Sequence, residues 1–330
     1  MEQELNQVNV KKWRWGINRW WVLLFIVLSL ITSRIFPPVQ PHIQIAAEHL
    51  SKSPILNTPL LGEVYFTNTM VAMFIVDLIL IGIVFSVNRA VKSGKLVPSG
   101  ISGALEAMLE VIYNLTESTA GKWARTIFPF FAIITLTVLI TNWMELIPGV
   151  DNIGILHESD EGHPIGEIAP GIWTVLPGEP EGQGYQIIPF IRVTSTDLNF
   201  TIALALVSVI MTQIIGVRAV GPAYFKKYWN TSTFFKKPVF GLIDFAVGLL
   251  ELISEFAKIL SFSFRLFGNI FAGTVMLFII GTLIPVMAQS AFLGLEFFVG
   301  LIQAIVFGML TMVFMAMATQ SHGSHDDEGH

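Results

Sequence analysis

ELISEFAKILSFSFRLFGN, residues 251–269, is apolar enough to lie in a membrane, yet it carries Glu251, Glu255, Lys258, Arg265 and Asn269 at successive spacings of 4, 3, 7 and 4. Those spacings place all five on one face of an α-helix, with Ser254 and Ser261 on the same stripe. Phe, Leu and Ile fill the opposite face. A helix with a single polar stripe inside a bilayer lines a wet cavity or faces a charged partner. The stretch therefore predicts an all-α, polytopic membrane protein built around a functional helix.

The surrounding sequence agrees. The apolar run continues from Val239 to Pro285, about 47 residues. As one helix it would be about 70 Å long, against a hydrocarbon core of about 30 Å. It contains no strong turn signal, and Gly268 and Gly273 are isolated glycines. A long, strongly tilted helix is thus expected rather than two spans. The other candidate spans are Trp20–Phe36, Asn68–Val87, Ile127–Ile147, Asp197–Val217 and Phe292–Ala318, giving about five to six in all. The last of them and the long helix form the expected pair of tilted helices, residues 239–319. Of the 330 residues, 53% are hydrophobic and 13% charged, and mean hydropathy is +0.66. A soluble domain carries about 25% charge. Cysteine is absent, so disulfides, thiol chemistry and Cys metal sites are excluded. No basic run of the kind that binds nucleic acid occurs.

Charge distribution predicts orientation through the excess of Lys and Arg on cytoplasmic loops. Lys11, Lys12, Arg14 and Arg19 place the N-terminal tail inside. Arg89, Lys92, Lys95, Lys122 and Arg125 do the same for the connection after the second span. Arg218, Lys226, Lys227, Lys236 and Lys237 do so for the one after the fourth. The segment 149–193 holds Arg192 as its one basic residue among Asp151, Glu158, Asp160, Glu161, Glu167, Glu179 and Glu181, and reads as an external acidic loop. The C-terminus is then cytoplasmic. Within residues 100–125, Leu105, Met108, Leu109, Ile112 and Leu115 recur at helical spacing between Glu106, Glu110 and Glu117, as in an amphipathic helix at the cytoplasmic surface. Residues 1–36 form a tail and an N-terminal apolar segment. This resembles a signal peptide in its basic start, but Arg34 and Pro37-Pro38 stand where a small-residue cleavage site would be, which favours an uncleaved anchor.

Ionisable groups inside spans cost about 2.5–3.5 kcal/mol each on insertion scales and are candidate functional groups by default. Glu251 and Glu255 fall toward the cytoplasmic end of the stripe, where interfacial solvation alone would account for them. Lys258 is long enough to snorkel to the interface. Arg265 lies deeper between Phe264 and Leu266, cannot discharge, and has no acid one helical turn away, so its partner belongs to another helix or another protein. Glu296 and Gln303, seven apart with Gly300 between them, share a face of the last span and leave room for water or a close backbone approach. Asp197 beside Thr196 and Asn199 fits a helix N-cap. Glu145 stands at an outer helix end, and Asp77 is in mid-span. The tail, residues 320–330, carries His322, His325 and His330 among acids and reads as solvated. No metal and no cofactor is expected.

Ser263-Phe264-Arg265-Leu266-Phe267-Gly268-Asn269-Ile270-Phe271-Ala272-Gly273 closely resembles the signature of the ATP synthase subunit a family. Asp197-Leu198-Asn199-Phe200-Thr201, the block Asn142 to Gly149, and Phe298-Val299-Gly300-Leu301-Ile302-Gln303-Ala304 resemble three further blocks of that family in the same order. The resemblance runs from about Thr67 to Ala318, within a membrane unit of residues 37–319, and leaves the N-terminal span outside the usual pattern. It implies a subunit of the F0 sector that is not an enzyme by itself. Its partners would be a c-ring, the b subunits of the peripheral stalk, the rest of the F0F1 complex and membrane lipid, in the bacterial cell membrane. It implies that Arg265 is the stator arginine facing the c-ring carboxylate. Glu251, Lys258, Ser261 and Asn269 match polar positions on the cytoplasmic side, with Glu255 in the same path. Glu296 and Gln303 match last-helix positions, and Asp197 and Asn199 match positions near the outer opening, where Glu145 also lies. Gly268 and Gly273 would let the long helix lie close to the ring. One departure stands out. The residue nine after the arginine, often Glu or His in the family, is Thr274 here, so a titratable pair is reduced to Glu296 and a hydroxyl.

Two other readings remain open on residues alone. A secondary transporter also places ions in mid-span, but inverted repeats and Gly/Pro-broken helices are not evident. A structural membrane protein accounts poorly for a stripe with Arg at its deep end.

Overall fold

The computed structural model describes residues 15–35, 44–59, 62–92, 100–147, 149–180, 182–228, 238–284 and 287–320. The expectations that fell on Lys11, Lys12, Arg14, Pro37, Pro38, Lys95, Lys236, Lys237 and the C-terminal histidines lie outside these residues. Among the described residues seven α-helices follow in order: α1 Trp15–Ile35, α2 Asn68–Lys92, α3 Ile101–Ala120, α4 Ala124–Trp143, α5 Leu198–Val220, α6 Pro238–Leu283 and α7 Met287–Ala318. Among the described residues, five helical stretches are long and apolar enough to cross a membrane: Asn68–Arg89, Ser102–Leu146, Leu198–Phe225, Phe245–Leu283 and Ala288–Ala318. The chain is a multi-pass membrane protein of all-α spans. The long apolar run is one helix of 46 residues, as its lack of a turn signal required.

The helices α4, α5, α6 and α7 pack around one apolar core. Ile134, Val138 and Leu139 of α4 meet Ala205 of α5, Phe262, Leu266 and Ile270 of α6, and Ala304 and Phe307 of α7. A second cluster binds α3 to this bundle through Ile112, against Ile127 and Phe131 of α4 and Met312 and Met315 of α7. Glu106, Glu110 and Glu117 stay exposed, so α3 is amphipathic as its spacing predicted. A 3₁₀ turn, Gly121–Trp123, joins it to α4, with Gly121 at φ 52°, where a Cβ is disfavoured. Side-chain hydrogen bonds tie the bundle where lipid offers none. The Ser208 and Thr311 hydroxyls meet at 2.8 Å between α5 and α7. Asn142 donates to the Gly300 carbonyl at 3.2 Å and accepts from Ser195 at 2.7 Å. At Gly308, α7 packs closely on α4, and a Cβ there would overlap Thr135 and Phe131.

The acidic segment is more than a loop. It folds into two antiparallel ladders, β3 Gly154–His163 with β6 Tyr185–Pro189, and β4 Ile165–Ala169 with β5 Ile172–Val175. A shorter hairpin, β1 Leu56–Thr58 with β2 Gly62–Val64, precedes α2. Arg192 ties the segment ahead of that hairpin to the run before α5. It donates to the Ala46 carbonyl at 2.9 Å, to the Gln44 carbonyl, and to the Thr196 hydroxyl at 3.2 Å.

Candidate functional site: a polar seam between the two long helices

The stripe read from the sequence is real but splits into two parts along α6. At one end Glu255 is 8% exposed and pairs with Lys258 at 2.9 Å. The ammonium lies 4.8 Å from the centre of the Phe314 ring of α7. Lys258 therefore turns into the bundle instead of snorkelling outward, because a carboxylate three residues earlier and an aromatic face both await it. The Tyr228 hydroxyl reaches Gln213 at 2.8 Å and Glu255 at 3.2 Å. Burial, then the Glu255 charge, push this phenol well above its ordinary range, so it stays a donor. Glu251 lies half-buried one turn earlier.

Toward the middle of α6, Ser261 and Asn269 are exposed and Arg265 is half-buried. A guanidinium nitrogen of Arg265 stands 3.4 Å from the Ser261 hydroxyl. Among the described residues no carboxylate lies within ion-pair distance of it. One turn further on, Asn269 donates to Gln303 of α7 at 2.8 Å, which joins the two helices beside the arginine. Gln303 is 4% exposed.

At the far end of the seam the chain brings together residues from three elements. Glu296 of α7 is 7% exposed, and its carboxylate lies against the Cα of Gly273 on α6, where a Cβ would overlap it. Gly273 therefore makes room for an acid of its own chain, which corrects the expectation that it lets α6 approach a neighbouring subunit. Gly268, by contrast, has open space where its side chain would be. Glu145, in the 3₁₀ turn after α4, is 9% exposed, and one of its oxygens is a buried acceptor with no partner. Thr274, whose hydroxyl donates to the Ile270 carbonyl at 3.0 Å, stands near this acid, which is also close enough to Glu296 to feel that charge. The sequence had reduced this position to one carboxylate and a hydroxyl. The fold supplies a second carboxylate from Glu145, more than a hundred residues away in the chain. Helical spacing shows faces within one helix and cannot reveal such a meeting.

Asp197 sits as its neighbours foretold. One oxygen accepts from the Asn199 N–H at 2.9 Å and caps α5, and the other accepts from Thr69 of α2 at 3.0 Å. Both oxygens thus hold helix ends together. Asn199 joins through its backbone, and its side chain is exposed. Asp77 is exposed on α2 and does not join the seam. Sequence reasoning counted Asp151 and Arg192 only as loop charges and did not single out Glu48; the three come together outside the spans. Burial, reinforced by Glu48 and opposed by Arg192, pushes the Asp151 carboxyl up to about 6. Desolvation lowers the Arg192 guanidinium against the neighbouring acids Glu48, Asp151 and Asp197. Among the described residues no group of His, Cys, Asp and Glu is placed to hold a metal.

Comparison with known proteins matches residues 70–316 to the family described as ATP synthase A chain. ATP synthase subunit a of Gloeobacter violaceus is 29% identical over 258 residues, covering 78% of this chain and 85% of the relative. ATP synthase subunit a 1 of Syntrophotalea carbinolica is 28% identical, covering 75% and 83%. ATP synthase subunit a of Moorella thermoacetica is 25% identical, covering 79% and 95%. Each is a protein to which this chain is similar.

Proposed function

Because the chain belongs to the ATP synthase A chain family, and so to the membrane sector of an ATP synthase, we propose that it couples proton flow to ring rotation through two offset half-channels separated by Arg265. The observation that carries this reading is Arg265 itself. It is a permanent cation midway along a 46-residue apolar helix, with a hydroxyl beside it and no acid of the described chain in pairing distance. A buried charge calls for a counter-charge, and a carboxylate carried past by a c-ring supplies one.

The physical cycle follows from solvation. A ring carboxyl is neutral when protonated and can face lipid; ionised, it cannot. A proton arriving by the outer path, through Glu145, Glu296 and Gln303 with Asp197 and Asn199 near its opening, loads that carboxylate. After rotation the carboxyl meets the inner path, formed by Glu251, Glu255, Lys258, Ser261 and Asn269, and releases the proton. Arg265 serves both events. Its fixed positive charge favours the ionised carboxylate that approaches it, and it repels protons that would cross directly. Each elementary charge crossing the membrane gains about 2.3 kcal/mol per 100 mV, and that work drives the turn. The subunit does no covalent chemistry alone. Its partners in this reading are the c-ring, the b subunits and lipid, in the bacterial cell membrane with the C-terminus cytoplasmic. Residues 37–319 form the functional membrane unit, and residues 1–36 an added anchor. Family membership removes the transporter alternative.

The test is Arg265→Ala in the assembled complex, with ATP-driven proton pumping and passive leak measured in vesicles. Pumping is expected to vanish while the complex still assembles, and leak to rise. Arg265→Lys is expected to fail as well, since an ammonium titrates when desolvated and a guanidinium does not. Near-normal pumping in Arg265→Ala that remains blocked by modification of the ring carboxyl would make Arg265 a packing residue and end the proposal.

A further inference from the structure

A cavity of about 600 Å³ opens beside the outer end of the seam. Its walls come from segments far apart in sequence: Gln44 and Glu48 ahead of the first hairpin, Asp151 at the start of the β insert, His163 at the end of β3, and Arg192 before α5. Its floor includes Thr274 of α6. That residue stands near Glu145, and the Glu296 carboxylate lies on the adjoining Gly273. Thr274 thus lies between the cavity and the two buried acids, which do not line it themselves. Glu145, with its unpartnered buried oxygen, is also close enough to Asp151 to feel its charge.

The groups lining this cavity differ in how firmly they are held. Arg192 is fixed by carbonyls and a hydroxyl. Glu48 accepts from the Asn68 side chain at 3.0 Å. His163 stands 3.3 Å from the Gly178 carbonyl. Among the described residues Asp151 makes no side-chain hydrogen bond, so it can gain and lose a proton without breaking the structure around it. It faces Arg192 and Glu48 across the cavity, with Tyr185 and His163 on the ladder wall, Asp197 beyond Arg192, and Glu145 below.

Resting on the half-channel reading above, we propose that Asp151 is the proton-loading group of the outer path, collecting protons in the β-walled cavity and passing them toward Glu145 and Glu296. In each transfer the carboxyl gives up one proton and is left as the carboxylate, which the outer medium reprotonates. The sign of the pH dependence is set by the raised acid. Below about 6 Asp151 is mostly protonated and loaded; as the outer pH rises through that value it empties and loading slows.

The experiment is ATP synthesis by the reconstituted complete complex, driven by an acid bath on the outer face, with rate followed against the pH of that bath. The native complex is expected to show a limb centred near 6. Asp151→Asn is expected to lower the rate several-fold and erase that limb, and Asp151→Glu to restore it, with assembly retained in both. A native limb that persists in Asp151→Asn, or an equal loss in Asp151→Glu, would overturn the proposal. Arg265→Ala measured in parallel separates the two readings. If it is inactive while Asp151→Asn behaves as native, only the loading role fails. If it still pumps, the half-channel reading fails and the loading role with it.

Discussion

Glu296 and Gly273 show how a single residue can be required for what it lacks. The carboxylate occupies the space a side chain at 273 would take. Gly273→Ala is therefore expected to evict the Glu296 carboxylate from beside Thr274 and Glu145 and to lower ATP-driven pumping by an order of magnitude or more, about the 10²-fold that an ångström of misplacement can cost. Assembly, followed by co-purification of the ring, should be retained. Native pumping in that variant would show that the position of Glu296 does not matter. At this scale the sequence was legible where the information is local. The spacing of Glu255, Lys258, Arg265 and Asn269 put them on one face, and Asp197 before Asn199 announced a cap that is present. The meeting of Glu145 with Thr274 and Glu296 was not legible, because it joins a 3₁₀ turn to two helices. The contact of Lys258 with the Phe314 ring was not legible either, since Phe314 lies on another helix.

Among the elements, α4 and α7 form the most extensive helix–helix seam, and Gly308 lies within it. Bulk there would overlap Thr135 and Phe131. Overpacking a close-packed interface costs about 1–3 kcal/mol, so Gly308→Val should lower the thermal stability of the detergent-solubilised complex and loosen α7 from the bundle. An unchanged melting profile would mean the helices part more easily than this packing allows. The length of α6 could be read from its unbroken apolar run, and the face of α3 from its Leu and Met spacing. The β ladders could not. Gly154–His163 has no clean alternation of apolar and polar residues, and its partner Tyr185–Pro189 lies more than twenty residues on. A strand of that kind is defined by what it pairs with.

Across the whole molecule, the polar groups sort into a set at the β-ladder end of the bundle, Asp151, Glu145, Thr274 and Glu296, and a second set near the opposite end of α6, Glu251, Glu255, Lys258 and Tyr228. Arg265, with Asn269 and Gln303, lies between them. Two sets on either side of the arginine are what the proposed pair of half-channels requires. Composition foretold a multi-span protein, but the cavity over Thr274 depends on loops from four parts of the chain and left no trace in any one of them.

The chain contains no cysteine, so single substitutions give clean probes of which side water reaches. The most direct measurement is the labelling of Ser261→Cys and Thr274→Cys in the assembled complex by a small charged thiol reagent applied to one membrane face at a time. The two-path account predicts that Thr274→Cys reacts from the outer face alone and Ser261→Cys from the cytoplasmic face alone. Reaction of both from the same face, or of either from both faces, would contradict it and point to one continuous pore past Arg265.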